Sequence, residues 1–135
     1  LIKSIKQFSN IFKEIDIHIE CEKIMMNVNQ AVPCALILNE VVSNALEHAF
    51  PNKESGNIWV SVIKTDNEVT FSIKDDGIGI SKKDYVNSKS IGFTIIETLI
   101  NQLEAHSEVV SENGTNVIYS FQLQDTKGAY SDKVF

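Results

Sequence analysis

The stretch Leu36 to Phe50, Leu-Ile-Leu-Asn-Glu-Val-Val-Ser-Asn-Ala-Leu-Glu-His-Ala-Phe, constrains this chain more than any other. It reads as a helix with a chemical edge. At about 100° per residue, Ile37, Leu38, Val41, Val42, Ala45, Leu46 and Ala49 fill one broad apolar arc, and Asn39, Ser43 and Glu47 fall opposite it. Glu40, Asn44 and His48 form an i, i+4, i+8 row along the border between the two. An amphipathic helix ordinarily turns its charges away from its apolar face. A carboxylate, an amide and an imidazole on the border suit the wall of a pocket; the plainer reading is a core helix with incidental polar flanks.

The segments on either side supply a sheet for that helix to cover. Ile15, Ile17, Ile19 and Cys21 alternate with polar residues, as on a half-buried strand, so His18 is expected on the solvent side. Before them, Ile2, Ile5, Phe8, Ile11 and Phe12 lie close to helical spacing and predict the end of an incoming helix within Leu1 to Lys13. Lys23 to Met26 suggests a further short strand, with Asn27 or Asn29 as the cap of the long helix and Pro33 in its first turn. Phe50-Pro51-Asn52 ends that helix, because the residue before proline resists the α region. Asn57 to Thr65 and the alternating Val69, Phe71 and Ile73 predict an antiparallel hairpin about Asp66-Asn67. Its second strand runs into Asp75-Asp76-Gly77-Ile78-Gly79-Ile80, where two closely spaced glycines mark a tight turn or a close backbone approach. Ser81 to Ser90 is polar and reads as a loop, Phe93 to Leu103 as a helix after Gly92, and Glu108 to Glu112 with Asn116 to Leu123 as strands around Asn113-Gly114. The expected fold class is α+β: a two-layer sandwich, mostly antiparallel mixed sheet with helices on one face. Residues 1–14 would be the end of an upstream helix or connector, 15–124 the domain, and 125–135 a loose tail.

Composition removes other classes. A 43% apolar and 22% charged content belongs to a soluble globular domain. The net charge of −6, with lysines spread thinly, argues against nucleic acid, and no apolar run is long enough to cross a bilayer. Cys21 and Cys34 show no metal-ligand spacing and are expected reduced and packed, as in a cytoplasmic protein. A chain that starts at Leu1 is expected to be a fragment of a longer protein.

Three segments carry chemistry that suits a nucleotide. One is the row Glu40, Asn44, His48; another is Asp76-Gly77-Ile78-Gly79 at a strand end; the third is Ser90-Ile91-Gly92 at a helix start. An ionised carboxylate only accepts hydrogen bonds, so Asp76 suits the exocyclic amine of adenine and not the carbonyl of guanine. Gly77 and Gly79 would let a base lie against bare backbone. Free N–H groups at a helix start near Gly92 suit phosphate, and Asn44 offers a neutral oxygen to Mg²⁺.

Asn39-Glu40-Val41-Val42-Ser43-Asn44-Ala45 resembles the N box of the GHKL (Bergerat-fold) ATPases, and Asp76-Gly77-Ile78-Gly79 resembles their first glycine box. Ser90-Ile91-Gly92-Phe93 is similar to the shortened second glycine box of one subgroup of sensor histidine kinases, and Gly114-Thr115 to the Gly-Thr that opens the last strand. The resemblance spans roughly Ile15 to Leu123. It implies ATP and Mg²⁺ as cofactors, with Asn44 on the metal, Asp76 on adenine, Gly77 and Gly79 shaping the base pocket, and Thr115 beside the base. Ser90, Ile91, Gly92 and Phe93 would approach the phosphates, His48 would line the pocket, Ser81 to Ser90 would be the ATP lid, and Glu40 would polarise the attacking group. There are two departures. Glu47 stands where many relatives carry a phosphate-binding Lys or Arg, which should weaken ATP binding unless Glu47 points to solvent. Ser90 replaces the first glycine of the second box, and its hydroxyl can still donate to phosphate.

The function so implied is that of the ATP-binding catalytic domain of a sensor histidine kinase in two-component signalling. It would transfer phosphate to a histidine on a dimerisation domain of the same protein, with a response regulator downstream. None of His18, His48 and His106 lies in a phosphoacceptor box, which the resemblance places upstream of Leu1. The domain would be cytoplasmic and free of membrane contact, any tether lying in upstream domains. The alternatives are a serine kinase of the anti-sigma factor type or a true ATPase, a degenerate nucleotide sensor marked by Glu47, and an interaction module without ligand.

Overall fold

Alternation along the strands and the apolar arc of one long helix set the architecture of the computed structural model, which describes residues 14–51, 54–79 and 91–124. The elements are β1 (Glu14–Cys21), α1 (Val28–His48), β2 (Ser55–Thr65), β3 (Glu68–Asp75), α2 (Ile91–Gln102), β4 (His106–Ser111) and β5 (Thr115–Gln122). One five-stranded sheet has the order β1-β2-β3-β5-β4. β1 pairs with β2 in parallel and every other pair is antiparallel. A parallel pair needs a long crossover, and α1, 21 residues or about 30 Å of helix, provides it. The expected α+β class, a mostly antiparallel mixed sheet covered by helices, is the fold observed. The incoming helix, the loop Ser81 to Ser90 and the C-terminal tail fall outside the described residues.

Strand parity builds the core. Ile15 and Ile17 of β1, Ile58, Val60 and Val62 of β2, Val69, Phe71 and Ile73 of β3, and Val117, Tyr119 and Phe121 of β5 are all buried. Cys34, Ile37, Leu38, Val41 and Val42 of α1 join the same cluster, as does Ile96 of α2. Both cysteines are free thiols, and burial pushes the pKa of Cys34 up, so it packs as a small hydrophobe. His18 is exposed on β1, as its parity predicted.

Two expectations about the start of α1 need correction. Lys23 to Met26 forms no strand; only Met26 makes an isolated bridge. Pro33 is not in the first turn, because the helix starts at Val28. Asn27 caps it, its side chain accepting from the N–H of Asn29 at 2.9 Å. Pro33 therefore sits in the second turn, where its missing N–H leaves one intrahelical bond unmade. Tertiary contacts hold this turn: the Gln30 side chain donates to the Gln122 carbonyl and accepts from the Gln124 N–H, each at 2.9 Å, tying α1 to the end of β5.

Tyr119 lies at the centre of the core, stacked on Phe71 with ring centroids 4.8 Å apart. Its hydroxyl is buried without a hydrogen-bond partner among the described residues. An unsatisfied buried hydroxyl costs roughly 1–3 kcal/mol. Tyr119→Phe removes it and keeps the ring stack, so we expect a gain of about 1 kcal/mol in urea unfolding at unchanged m-value. A loss of stability would show that the hydroxyl is satisfied.

Candidate functional site

The border row of α1 divides on folding. Glu40 and Asn44 are half-buried, and neither side chain has a hydrogen-bond partner among the described residues. A half-buried carboxylate and amide are reached by water, and with no protein partner among the described residues both are accessible to a ligand. His48 does not join them: its side chain is 75% exposed and lies 3.5 Å from the carboxylate of Glu47, itself 66% exposed. Glu47 thus points to solvent, the arrangement in which its charge does little harm to a bound anion.

The last turn of α1 meets the glycine turn that follows β3. The N–H of Ile78 donates to the carbonyl of Ala49 at 2.9 Å, satisfying one of the carbonyls left open at the helix end. A side chain at Gly77 would collide with the same carbonyl oxygen. Gly79 has φ 79°, and a Cβ there would come within 2.7 Å of the Ser111 hydroxyl oxygen. From the sequence, both glycines are expected to let a base lie on bare backbone. In the structure their missing side chains face protein: Ala49 for Gly77, and Ser111 with Gly114 for Gly79.

The two consecutive aspartates take opposite faces of the sheet. Val69, Phe71 and Ile73 point into the helix layer, and the same parity carries Asp75 inward, where it is 6% exposed. Asp75 pairs across the sheet with Ile58 on one side and Thr115 on the other. Its Oδ1 accepts from the N–H of Gly77 at 2.9 Å and of Thr115 at 3.3 Å. Its Oδ2 has no partner among the described residues. Burial raises the pKa of Asp75; the two N–H groups act against that, and the nearby charge of Asp76 adds to it. Asp76 occupies the outer face. Its Oδ1 accepts from the Asn57 N–H at 2.8 Å, its Oδ2 from the Asn57 side-chain amide at 3.0 Å, and its own N–H donates to the Asn57 carbonyl at 3.2 Å. Asp76, expected from the sequence to meet adenine, thus faces outward onto Asn57, and Asp75 is the inward carboxylate. The signal was present in the strand: the alternation that ends on Ile73 reaches Asp75 next.

The structure brings together the end of α1, Asp75, Gly77, Gly79 and Thr115, and leaves Asp76 and His48 out of that group. Ile91, Gly92 and Phe93 open α2, two residues earlier than the predicted start. Ser90 lies outside the described residues. Asn57, which the sequence reading placed only in a strand, is the partner that fixes Asp76.

With this geometry in view, comparison with known proteins is decisive for the family. Residues 29–126 match the family described as Histidine kinase-, DNA gyrase B-, and HSP90-like ATPase. The chain belongs to this family. Among curated members, it is 27% identical over 106 residues to the anti-sigma F factor of Oceanobacillus iheyensis, covering 70% of this chain and 71% of that protein. It is 28% identical over 111 residues to blue-light-activated histidine kinase 2 of Erythrobacter litoralis, covering 81% of this chain but only 32% of that one. Among solved structures, a histidine kinase domain of an Erythrobacter litoralis blue-light-activated kinase superposes with a TM-score of 0.82 at 26% identity, over 90% of this chain and 57% of that one. The mycobacterial sensor kinase MprB, at 13% identity and a TM-score of 0.72, shares the fold. Membership of this ATPase family sets the ligand that the free polar groups are tested against. Among the described residues no three His, Cys, Asp or Glu side chains gather to hold a metal. Asn44, whose side chain has no partner among the described residues, offers the neutral oxygen that Mg²⁺ chemistry could use.

Proposed function

We propose that this chain is the ATP-binding catalytic domain of a histidine kinase. It would hold Mg·ATP for transfer of the γ-phosphoryl group to a histidine on a dimerisation domain of the same protein. The observation that carries the reading is the junction at Ala49. The helix bearing Glu40 and Asn44, which lack hydrogen-bond partners among the described residues, ends against the turn that follows Asp75, and this supports a reading in which a purine-binding carboxylate and a metal-binding amide serve one ligand. Asp75, and not Asp76, would accept from the adenine amine through Oδ2, which has no partner among the described residues, while Gly77 and Thr115 hold Oδ1 in place. Asn44 holds Mg²⁺, which neutralises phosphate charge. In this reading the start of α2 at Ile91, Gly92 and Phe93, with Ser90 before it in sequence, would approach the phosphates and offer them backbone N–H groups. Glu40 orients the acceptor imidazole and takes its proton. Phosphoryl transfer asks mainly for positioning and charge neutralisation, which these groups can supply.

Calorimetric titration of the chain with ATP tests this. We expect binding at micromolar to millimolar ATP, weakened at least tenfold when EDTA removes Mg²⁺. No detectable heat or shift at millimolar Mg·ATP would overturn it. The likeness to anti-sigma F factor favours a second reading, a serine kinase acting on a partner protein. The two are separated by the phosphorylated product of the full-length protein: acid-labile phosphohistidine supports the first, acid-stable phosphoserine the second.

A further inference from the structure

Asp75 and Asp76 are chemically identical neighbours, and only one can face the cleft. A one-residue slip of β3 against β2 would exchange them, because successive side chains point to opposite faces. The register itself places Asp76 beside Asn57, since Ile58 pairs with Asp75. Asn57 meets Asp76 through three hydrogen bonds, two from its backbone and one from its side chain. The side-chain bond fixes the amide orientation, because a carboxylate only accepts: Nδ2 faces Asp76, and Oδ1 is left for the Nε2–H of His18 at 2.9 Å. His18 is held in turn by stacking on Trp59, ring centroids 5.5 Å apart and planes 17° from parallel. Lys74 Nζ lies 5.9 Å from the Trp59 ring on the same outer face.

We propose that Asn57 is a positioning residue for purine selectivity. By gripping Asp76 on the outer face of the sheet, backed by His18 and Trp59, it keeps Asp75 as the carboxylate that reads the base. The inference rests on the nucleotide reading above and extends it to a residue on the far side of the sheet from the cleft. A residue that only stabilised the fold would affect all nucleotides alike. One that aims Asp75 affects those that offer an amine to it.

The experiment compares the wild-type chain with Asn57→Ala, which removes the side-chain bond to Asp76 and keeps both backbone ones, and with Asp76→Asn, which turns one of the two accepting oxygens into a donor. Two quantities are measured: amide hydrogen exchange at Gly77 and Thr115, which donate to Asp75, and the ratio of ATP to inosine triphosphate affinity. Inosine triphosphate has a carbonyl where ATP has its amine. We expect exchange at both amides to quicken at least tenfold in Asn57→Ala, and the preference for ATP to fall about tenfold, with changes of the same sign and at least that size in Asp76→Asn. Unchanged exchange at Gly77 and Thr115 overturns the clamp whether or not nucleotide binds. Faster exchange with equal losses for the two nucleotides overturns the selectivity role and leaves Asn57 structural. Absence of ATP binding by the wild-type chain, with exchange still quickened, would instead refute the nucleotide reading.

Discussion

Asp75→Asn will weaken ATP binding by about a hundredfold or more, while leaving the fold at least as stable at neutral pH. The carboxamide keeps an oxygen where Oδ1 accepts from Gly77 and Thr115, so the turn retains its two hydrogen bonds. The other atom becomes an NH₂ group, which faces the adenine amine as donor against donor. Leaving such a pair unsatisfied in a buried site costs about 1–3 kcal/mol for each group, and about 2.7 kcal/mol is a hundredfold in affinity. Stability moves the other way because Asp75 has its pKa raised, chiefly by burial. A carboxyl whose pKa is raised on folding favours the folded state when protonated. That contribution is present below the ordinary carboxylate range and is lost as pH rises through the folded-state pKa. The substitution removes this loss, so its Tm should exceed the wild type's at pH 7 and converge with it as pH falls toward the carboxylate range. ATP affinity of the wild type should decline over the same fall in pH, as the acceptor takes up a proton. Titration calorimetry and thermal melts across pH 4 to 8 measure both. If Asp76→Asn abolished binding while Asp75→Asn did not, the assignment of the inner carboxylate would be wrong.

Gly114→Ala should cost about 3 kcal/mol and lose nucleotide binding with it. Gly114 has φ 120°, a conformation that L side chains rarely adopt, and a Cβ there would collide with the backbone carbonyl oxygen of Asp75. Relief requires the hairpin between β4 and β5 to lift away from the end of β3. That movement withdraws the Thr115 N–H from Asp75 and disturbs the contact of Gly114 with Gly79. Backbone strain of about 1–3 kcal/mol and the broken contacts act on the same residues. Urea unfolding gives the stability change, and titration with ATP gives the binding. By contrast, a change at solvent-facing Glu47 should leave stability within about 0.5 kcal/mol. A Gly114→Ala protein with wild-type stability would show that the turn adapts without strain.

Much of the fold could be read before any coordinates because its signals are local. Periods of two and 3.6 residues depend only on backbone geometry, so β1, β2, β3, β5 and α1 emerged within a residue or two at most ends. Pro33 was misplaced because proline's preference for a first turn is weak against a cap at Asn27 and the buried Gln30, which holds the strand end 92 residues away. The polar row of α1 was legible as chemistry, but not as a set. Helical spacing put Glu40, Asn44 and His48 on one edge, and only packing decided that the first two are half-buried while the last reaches water.

The sequence by itself determined which residue types lie at the end of β3 and which face each strand position takes. That follows from the fixed geometry of a pleated chain, in which side chains alternate whatever surrounds them. Tertiary structure alone decided what those positions mean. Asp75 is the residue proposed to read the base because the parity of β3 buries it beside the N–H groups of Gly77 and Thr115, near the end of α1. Asp76 is a structural one because the register with β2 sets it against Asn57. Contacts between strands far apart in the chain carry no local signal, since their partners are chosen by the pairing of whole elements.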